Sequence, residues 1–430
     1  MKKIILSCIM LLVGTEGWAQ NNLTLSDAIS MGLKNNYSLI VQRNDQRISE
    51  INNTWGNTSL MPTLTLNVAG TQTKNYNDDD DYKNWSLTPQ VTLNWTLFDG
   101  FKAQISKKKY EELEEQSSGN TALLVETTVQ DIVLAYFKVL QERELRDAYL
   151  SMSNLSKDRM DREARSKDIG ASTSYDYLQY KTSYLSDYSK YLRQKTTYEN
   201  SLRSLNYILG IKDPIIWTLT TELVAPMSEY NLADLQAAME SSNKTLKLQY
   251  LNQRIMALNT RAARSDYYPT LKVNGGVRYN DNSRRYSSST PNVDTQSTDT
   301  YVGFSLAWTI FNGGTRQRAV AIAKINEKSA QVELDQMKHS LQNQLLTYYA
   351  NYQVNKEVYK LAEEQIETAK LNLEISRQKY DQGAINSFNF RDVQNTYLNA
   401  VASHVEALYN LISTETDLLQ ISGNIVGYHQ

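Results

Sequence analysis

Two stretches of the chain alternate strictly between apolar and polar or small residues. From Leu87 to Leu97 every second residue is apolar or Pro, and the residues between them are Thr, Gln or Asn. Val302 to Ile310 alternates in the same way, and shorter alternations precede the two stretches at 64–68 and 271–279. Period-two patterning of this kind predicts four β-strands, which form a sheet with one apolar and one polar face.

Two environments suit such a sheet. One is a soluble sheet with its apolar face covered, and the other is a membrane barrel whose apolar face meets lipid. Strands of a transmembrane barrel need about 9–11 residues and end in aromatic girdles, and Trp95, Phe98, Trp308 and Phe311 lie near one end of these strands. Four strands leave open edges that lipid does not tolerate. A membrane sheet would therefore require several copies of the chain.

The stretches between the paired strands are polar. Asn75–Asn84 is acidic, and Asn280–Asp299 has no apolar periodicity. Both are predicted to be solvated loops. The Asp run within the first one lacks the spacing of a calcium loop.

The strands are followed by helical periodicity of unusual length. One pattern runs from after Gly100 to about Lys167 and another from after Gly314 to about Tyr380, with no proline in either. At about 1.5 Å per residue each helix is about 100 Å long. Return helices are predicted over Ser172–Leu209 and Asn386–Ile421, each after a Gly that ends the first helix and a Ser or Asn that caps the second.

The chain consists of two sequence repeats. Pro62 and Pro269 lie 207 residues apart, whereas Gly170 and Gly383 lie 213 apart, as do all matched positions after the strands. The predicted organisation is a signal peptide (1–19), a first repeat (20–210), a linker with a β-prone run (211–229), a second repeat (230–423) and a tail (424–430).

Each repeat carries the phrase Trp-Thr-(Leu/Ile)-Phe-(Asp/Asn)-Gly where a strand passes into a long helix. Asp99 and Asn312 are expected to cap the helices, and Gly100 and Gly313 to permit the bend. Trp95, Leu97, Trp308 and Ile310 are expected to face lipid. The full set of predicted joint residues is Pro62, Phe98, Asp99, Gly100, Pro269, Phe311, Asn312 and Gly313.

Composition and charge narrow the function. The formal net charge is −2, which argues against a nucleic-acid-binding protein because such proteins carry a basic face. His339, His404 and His429 are isolated, and no carboxylate–His pair has catalytic or metal-ligand spacing. We therefore expect no enzyme activity, no cofactor and no metal.

The N-terminus indicates export. Lys2 and Lys3 precede the apolar run Ile4–Val13, and Gly17-Trp18-Ala19 supplies small residues for cleavage after Ala19,. Cys8, the single cysteine of the chain, lies inside this segment, so the mature chain is expected to lack thiols.

The chain resembles the TolC-like outer-membrane efflux proteins. The resemblance lies in the doubled strand–strand–long helix–helix order and in three motifs: Pro-Thr-Leu, Trp-Thr-(Leu/Ile)-Phe-(Asp/Asn)-Gly, and Tyr-x-x-Gly before each hairpin. The resemblance implies a mostly α protein with a transmembrane β-barrel. Three copies would pool their strands into a 12-stranded β-barrel, continued by a 12-helix α-barrel tunnel through the periplasm. It also implies that the 211–229 linker lies in an equatorial belt.

The resemblance assigns two kinds of site. The hairpin turns would contact a periplasmic adaptor (membrane fusion) protein, and acidic side chains beyond them would form rings at a closed aperture. Asp392 keeps such a carboxylate, whereas Asn389 does not; Asp176 and Gln179 occupy the matching positions of the first repeat. The turn residues are Asp168, Ile169, Gly170, Ala171, Asp381, Gln382, Gly383 and Ala384.

The function implied is a passive exit channel of a tripartite efflux or type I secretion system in the outer membrane of a Gram-negative bacterium, with its helical part in the periplasm. An inner-membrane RND or ABC transporter would supply the substrate. The alternative left open by the residues is a soluble periplasmic coiled-coil scaffold without channel activity.

Overall fold

The computed structural model describes residues 21–76, 81–212 and 215–428. The predicted signal peptide, Asp78 to Asp80 of the acidic run and His429 lie outside these residues. The described chain forms nine α-helices and six strands, and they come in nearly the same order twice.

The elements of the first half are β1 (Asn22–Leu23), α1 (Leu25–Asn35), α2 (Tyr37–Asn52), β2 (Thr63–Asn75), β3 (Tyr82–Phe98), α3 (Lys102–Asp168) and α4 (Ser174–Ile208). Those of the second half are β4 (Thr218–Leu219), α5 (Leu232–Ser242), α6 (Lys244–Ser265), β5 (Thr270–Tyr286), β6 (Val293–Ala307), α7 (Thr315–Asp381), α8 (Ser387–Ile421) and α9 (Ile425–Tyr428). The long helices α3 and α7 each have 67 residues, and the return helices α4 and α8 each have 35. The predicted helices are confirmed.

The chain divides into two compact units. The first contains 21–41, 122–243 and 340–428, and the second contains 42–121 and 244–339. The long helices α3 and α7 contribute to both units. We describe each unit separately.

The first unit is a packed helical body. Its core is formed by α8, which buries Leu398, Leu408, Leu411 and Leu418, together with α3, which buries Ile132 and Leu140. The same contact closes each repeat on itself: Asn36 Nδ2 donates to Ile208 O at 3.0 Å, and Asn243 Nδ2 donates to Ile421 O at 2.9 Å. In the linker, β4 pairs in parallel with β1, which confirms the predicted short strand.

The second unit contains a four-stranded antiparallel sheet in the order β2-β3-β5-β6. The four predicted strands are confirmed, but most of their boundaries were wrong, and β3 already begins at Tyr82, inside the predicted loop Asn75–Asn84. Strand β6 ends at Ala307, which pairs with Thr270; Pro269 precedes Thr270 and has no N–H to continue the ladder. Trp308, Thr309 and Ile310 therefore lie beyond the strand.

The second correction concerns the predicted loops. Residues 280–286 and 293–299 continue β5 and β6, so the connection shrinks to 287–292. Both faces of this extension are polar, which hides it from hydrophobic periodicity. Cross-strand contacts hold it: Arg285 forms an ion pair with Asp294 at 2.6 Å, and Asn280 Nδ2 donates to Asp299 Oδ2 at 2.9 Å.

Candidate functional site

The two hairpin turns of the helical unit have the same geometry. Gly170 and Gly383 both have φ +74°, a conformation that favours glycine. The next amide in each turn reaches back across the helix end: Ala171 N donates to Ser166 O and Ala384 N donates to Lys379 O, both at 2.8 Å. This is the Schellman pattern that satisfies the last carbonyls of a helix.

The turn residues are accessible. All eight, 168–171 and 381–384, are exposed, and nothing lies within 4 Å of a Cβ added at Gly170 or Gly383. The turns differ in chemistry, because Ile169 is 81% exposed where the second turn has Gln382. Asp381 forms an ion pair with Arg162 at 3.5 Å. Each return helix is capped by a side chain, Thr173 before α4 and Asn386 before α8.

The candidate aperture residues have different roles in the chain. Asp392, Asn389 and Gln179 are exposed, and in the described chain the Asp392 carboxylate has no ion-pair partner. Asp176 instead caps the N-terminus of α4. Its carboxylate accepts a hydrogen bond from the Thr173 hydroxyl at 2.6 Å, and its backbone N–H donates to that hydroxyl oxygen at 3.1 Å. This is a reciprocal cap of the helix N-terminus, so capping explains Asp176 without a ring.

A buried ion pair behind the turns was missed by the sequence reasoning. Asp187 of α4 is 1% exposed. Arg391 of α8 binds both of its carboxylate oxygens, with Nη2 2.5 Å from Oδ1. Ser156 of α3 also donates to Asp187, at 2.5 Å. One carboxylate therefore joins three helices, and the paired Arg391 immediately precedes the exposed Asp392.

A second cation lies beside this pair. The Arg159 guanidinium stacks 3.9 Å from the Phe390 ring centroid and 4.9 Å from that of Tyr380, and its Nη1 donates to Gln394 Oε1 at 3.1 Å. Burial lowers the pKa of Arg159 to about 10, so it stays charged at neutral pH. Tyr380 also shares a hydrogen bond of 2.8 Å with the hydroxyl of Tyr180 on α4. Polar and cation–π contacts therefore hold the four helices together near the two turns.

The residues around the end of the linker, 228–230, make polar contacts with α7 and α8. Glu415 on α8 is 5% exposed and accepts from the Tyr230 hydroxyl at 2.7 Å. Tyr352 donates to Ser228 O at 2.9 Å, and Lys356 forms an ion pair with Glu229. Burial raises the pKa of Glu415, although the hydrogen bond from Tyr230 works in the opposite direction.

In the second unit, the joint between β3 and α3 bends as expected but begins its helix later. Gly100 has φ +71° and Phe101 has φ 69°, and α3 starts at Lys102. The predicted cap at Asp99 was therefore wrong, because two residues in the left-handed conformation separate it from the helix. Asn312 is likewise separated from α7 by Gly313 and Gly314, although its Oδ1 accepts from Arg316 N at 3.5 Å.

Residues 237–424 match the family model described as outer membrane efflux protein. The second repeat of the chain is therefore similar to outer membrane efflux proteins. No characterised protein sequence matches this chain significantly.

Solved structures extend the likeness to nearly the whole length of this chain. The Campylobacter jejuni CmeC outer membrane channel has 15% sequence identity and a TM-score of 0.75, with 93% of this chain and 86% of that one covered. CusC, whose structures concern transmembrane channel formation, has 14% identity and a TM-score of 0.75 over 96% and 95%. The open state of the Neisseria gonorrhoeae MtrE outer membrane channel has 16% identity and a TM-score of 0.71 over 93% and 89%. The fold of this chain is that of outer membrane efflux channels.

The described residues show no metal-binding cluster and no membrane-spanning helix. Within 21–76, 81–212 and 215–428, no three His, Cys, Asp or Glu side chains are grouped as a metal site requires. His404 packs its ring 5.5 Å from that of Tyr359, and burial lowers its pKa. Among the described helices, none combines the length and apolarity needed to cross a bilayer.

Proposed function

We propose that this protein is the passive outer-membrane exit channel of a tripartite efflux or type I secretion system. Substrate delivered by an inner-membrane RND or ABC transporter and a periplasmic adaptor would leave through it. The observation that carries the proposal is an exposed apolar face on the sheet. The match of residues 237–424 to the outer membrane efflux protein family supports the same assignment, and the function needs no enzyme chemistry.

The apolar side chains of the sheet form one continuous band across all four strands. Leu64 of β2 pairs with Leu93 of β3, Trp95 of β3 with Val273 of β5, and Val273 with Phe304 of β6. On the edge strands this face is open: Leu64 is 72% exposed and Phe304 is 83% exposed. An apolar patch of this kind marks an interaction surface, in this case lipid. We call it the apolar band.

The two sheet edges require further copies. In the strand order β2-β3-β5-β6 the outer strands β2 and β6 each pair on one side. An unpaired backbone group in lipid costs several kcal/mol, so a membrane sheet must pair β6 of one copy with β2 of the next. The family resemblance supplies the number: three copies would close a barrel of twelve strands.

The helical unit has apolar stripes that suit the same assembly. On α4, Leu178, Leu185 and Leu192 are 57%, 54% and 44% exposed, and they recur at the heptad spacing of a coiled-coil seam. Thr182 and Ser189 fill the steps between them. The stripe therefore contains no charge although it faces solvent in a single chain. We call it the α4 stripe.

A matching stripe lies on α7. Leu361 and Ile375 are 66% and 43% exposed, with exposed Thr368 midway between them. Leu361 lies as many residues before Gly383 as Leu192 lies after Gly170. The same holds for Ile375 and Leu178. We therefore match Leu361 with Leu192 and Ile375 with Leu178. Helix α4 begins after its turn, whereas α7 ends at its own turn. If α4 of one copy packs antiparallel to α7 of the next with the turns at the same height, each matched pair of residues lies side by side.

Charge at the edge of the two stripes is compatible with this pairing. Lys195 follows Leu192 on α4, and Glu357 precedes Leu361 on α7, so both charges lie just beyond the matched pair on the side away from the turns. If the stripes of two copies pack with their turns at the same height, Lys195 of one copy lies at nearly the same height as Glu357 of the next, and the two charges are opposite. These features support a homotrimer in which α4 of one copy packs on α7 of the next.

The exposed turns 168–171 and 381–384 are the proposed contact for the adaptor protein. Asp392, free of ion-pair partners in the described chain, is the proposed aperture carboxylate, and Asn389 and Gln179 would line the same constriction. Three copies of Asp392 near one axis would focus a negative potential. Opening would require the contacts of Asp187, Arg391, Arg159 and Tyr380 behind the turns to rearrange.

The alternative, a soluble periplasmic scaffold, would have to cover the apolar band with protein. Extraction and conductance separate the two. The proposed channel requires detergent for extraction from membranes and gives discrete conductance steps in planar bilayers. Asp392→Asn should weaken any preference of the channel for cations, whereas Asp158→Asn, another exposed Asp of the helical unit, should not. A protein that stays in the aqueous fraction without detergent and conducts no ions would overturn the proposal.

A further inference from the structure

A basic pocket lies at the joint between β3 and α3, within the sheet-bearing unit. Its volume is about 360 Å³. Its wall is formed by Phe101 just before α3, by Gln104 and Lys108 in the first turns of α3, and by Arg261, Arg264 and Tyr268 from the end of α6 and the residues after it. We call it the joint pocket.

The three cations of the joint pocket are not neutralised within the described chain. The nearby carboxylates are already engaged: Glu112 and Glu115 both bind Arg254 at 2.7 Å. Glu111 binds Lys107 at 2.9 Å, and Asp266 lies 3.4 Å from Lys102. No ion pair of the described residues includes Lys108, Arg261 or Arg264. The first turn of α3 also contains no acidic residue, so its positive dipole end remains available to an anion.

One wall of the pocket is aromatic. The Phe101 ring lies 5.1 Å from Phe98 at the end of β3 and 5.9 Å from Tyr268, both edge-to-face. Phe101 and Tyr268 are each 52% exposed. Phe98 ends the strand that carries Leu93 and Trp95 of the apolar band. Cations and amphipathic aromatic rings beside an apolar band are the side chains found at a membrane–water interface.

The three cations are not repeated by the duplication. The second-repeat counterpart of Lys108 is Ala321, and the first-repeat counterparts of Arg261 and Arg264 are Thr54 and Asn57. Gln104, by contrast, keeps Gln at 317. The basic cluster is therefore specific to the β3–α3 joint and is not part of the repeated pattern.

We propose that the joint pocket binds the phosphate-bearing headgroup of an anionic phospholipid in the leaflet that borders the helices. Lys108, Arg261 and Arg264 would hold the phosphate oxygens, and Phe101 and Tyr268 would pack on the glycerol and first acyl carbons. The inference rests on the proposed placement of the sheet in a membrane. A volume of about 360 Å³ suits a headgroup better than a single inorganic ion.

The test is native mass spectrometry of the full-length protein, purified in detergent and titrated with phosphatidylglycerol, phosphatidylcholine or inorganic phosphate. The pocket variant is Lys108→Gln with Arg261→Gln and Arg264→Gln. The control variant, Lys181→Gln with Lys190→Gln and Arg193→Gln, removes the same charge from exposed positions on α4. We expect the pocket variant alone to bind phosphatidylglycerol about tenfold more weakly. Phe101→Leu should weaken lipid binding without removing charge.

Equal phosphatidylglycerol binding by the wild type and the pocket variant would overturn the inference, as would equal binding of phosphatidylcholine by the wild type. If inorganic phosphate alone binds in a manner that depends on the three cations, the site is a phosphate site and the lipid assignment fails. Planar-bilayer conductance of the same preparations separates this result from a failure of the proposed channel. A conducting protein without pocket-dependent lipid binding refutes only the lipid site.

Discussion

The indole nitrogen of Trp95 donates a hydrogen bond to the backbone oxygen of Leu60 at 3.0 Å. The second repeat contains the same bond, from Trp308 to Tyr267 O at 3.1 Å. In each case a tryptophan at the end of one strand holds the chain just before the prolines that lead into its neighbour. The repeated Trp therefore has a structural role in addition to the lipid contact predicted for it.

Trp95→Phe should destabilise the sheet by about 1 kcal/mol, because Leu60 O loses its donor while most of the aromatic surface is kept. Equilibrium denaturation of protein folded into lipid vesicles measures the change. Trp85→Phe is the control, since Trp85 is also 43% exposed and its indole makes no hydrogen bond within the described chain. An equal loss in both variants would show that ring size rather than the hydrogen bond is responsible.

The two joint glycines should differ in their tolerance of a side chain. A Cβ at Gly100 would lie 2.4 Å from Ser265 O, whereas a Cβ at Gly313 meets nothing within 4 Å. Both have positive φ, which costs an ordinary residue about 1–2 kcal/mol. Gly100→Ala should therefore reduce the yield of assembled protein on non-boiled gels well below that of Gly313→Ala. Equal yields would mean that backbone conformation alone sets the requirement.

The buried pair behind the turns should matter more than exposed pairs do. Asp187→Asn leaves Arg391 without its partner and should cost about 3–5 kcal/mol. The exposed pair Lys195–Glu199, at 3.9 Å, is the control, and Glu199→Gln should cost at most about 0.5 kcal/mol. Thermal unfolding of the helices, followed by circular dichroism, measures both. Similar midpoints for the two variants would contradict the importance assigned to Asp187.

Glu415 should make stability depend on pH. Burial raises the pKa of Glu415 above its unfolded value, so ionisation opposes folding. The stabilisation that comes from keeping Glu415 protonated is fully present below its unfolded pKa and is lost as pH rises through its folded pKa. Glu415→Gln keeps an acceptor for Tyr230 but cannot ionise, so it should unfold at a higher temperature than wild type at neutral pH. The difference should shrink on acidification, and a constant difference would show that Glu415 does not titrate in this range.

Cysteine crosslinking tests the proposed contact between copies. Leu178→Cys combined with Ile375→Cys places one thiol on each stripe at the same level, and oxidation should link three copies into a covalent ring. Disulfides need Cα atoms within about 7 Å. Leu178→Cys with Leu361→Cys is the mismatched control, because its levels differ by about 14 residues, or about 21 Å along a helix. Comparable crosslinking of both pairs on denaturing gels would refute the register.

The order and length of the elements were readable from the chain because they follow from local rules. Helix and strand periods, the glycines that end α3 and α7, and the duplication all depend on residues close in sequence or on a constant offset. The apolar band followed from alternation, since alternation reports that the two faces of a sheet meet different surroundings. Where both faces are polar, as at Arg285 and Asp294, that signal vanishes and the strands were mistaken for loop.

The contacts that give the site its character were decided by tertiary structure. Asp187 and Arg391 lie 204 residues apart in sequence, and no local pattern relates one to the other. The use of Asp176 in a helix cap, the start of α3 two residues after Gly100, and the joint pocket likewise depend on where helices begin and which neighbours they meet. Periodicity specifies which face of an element is apolar, but only the packed chain specifies which polar groups are desolvated together.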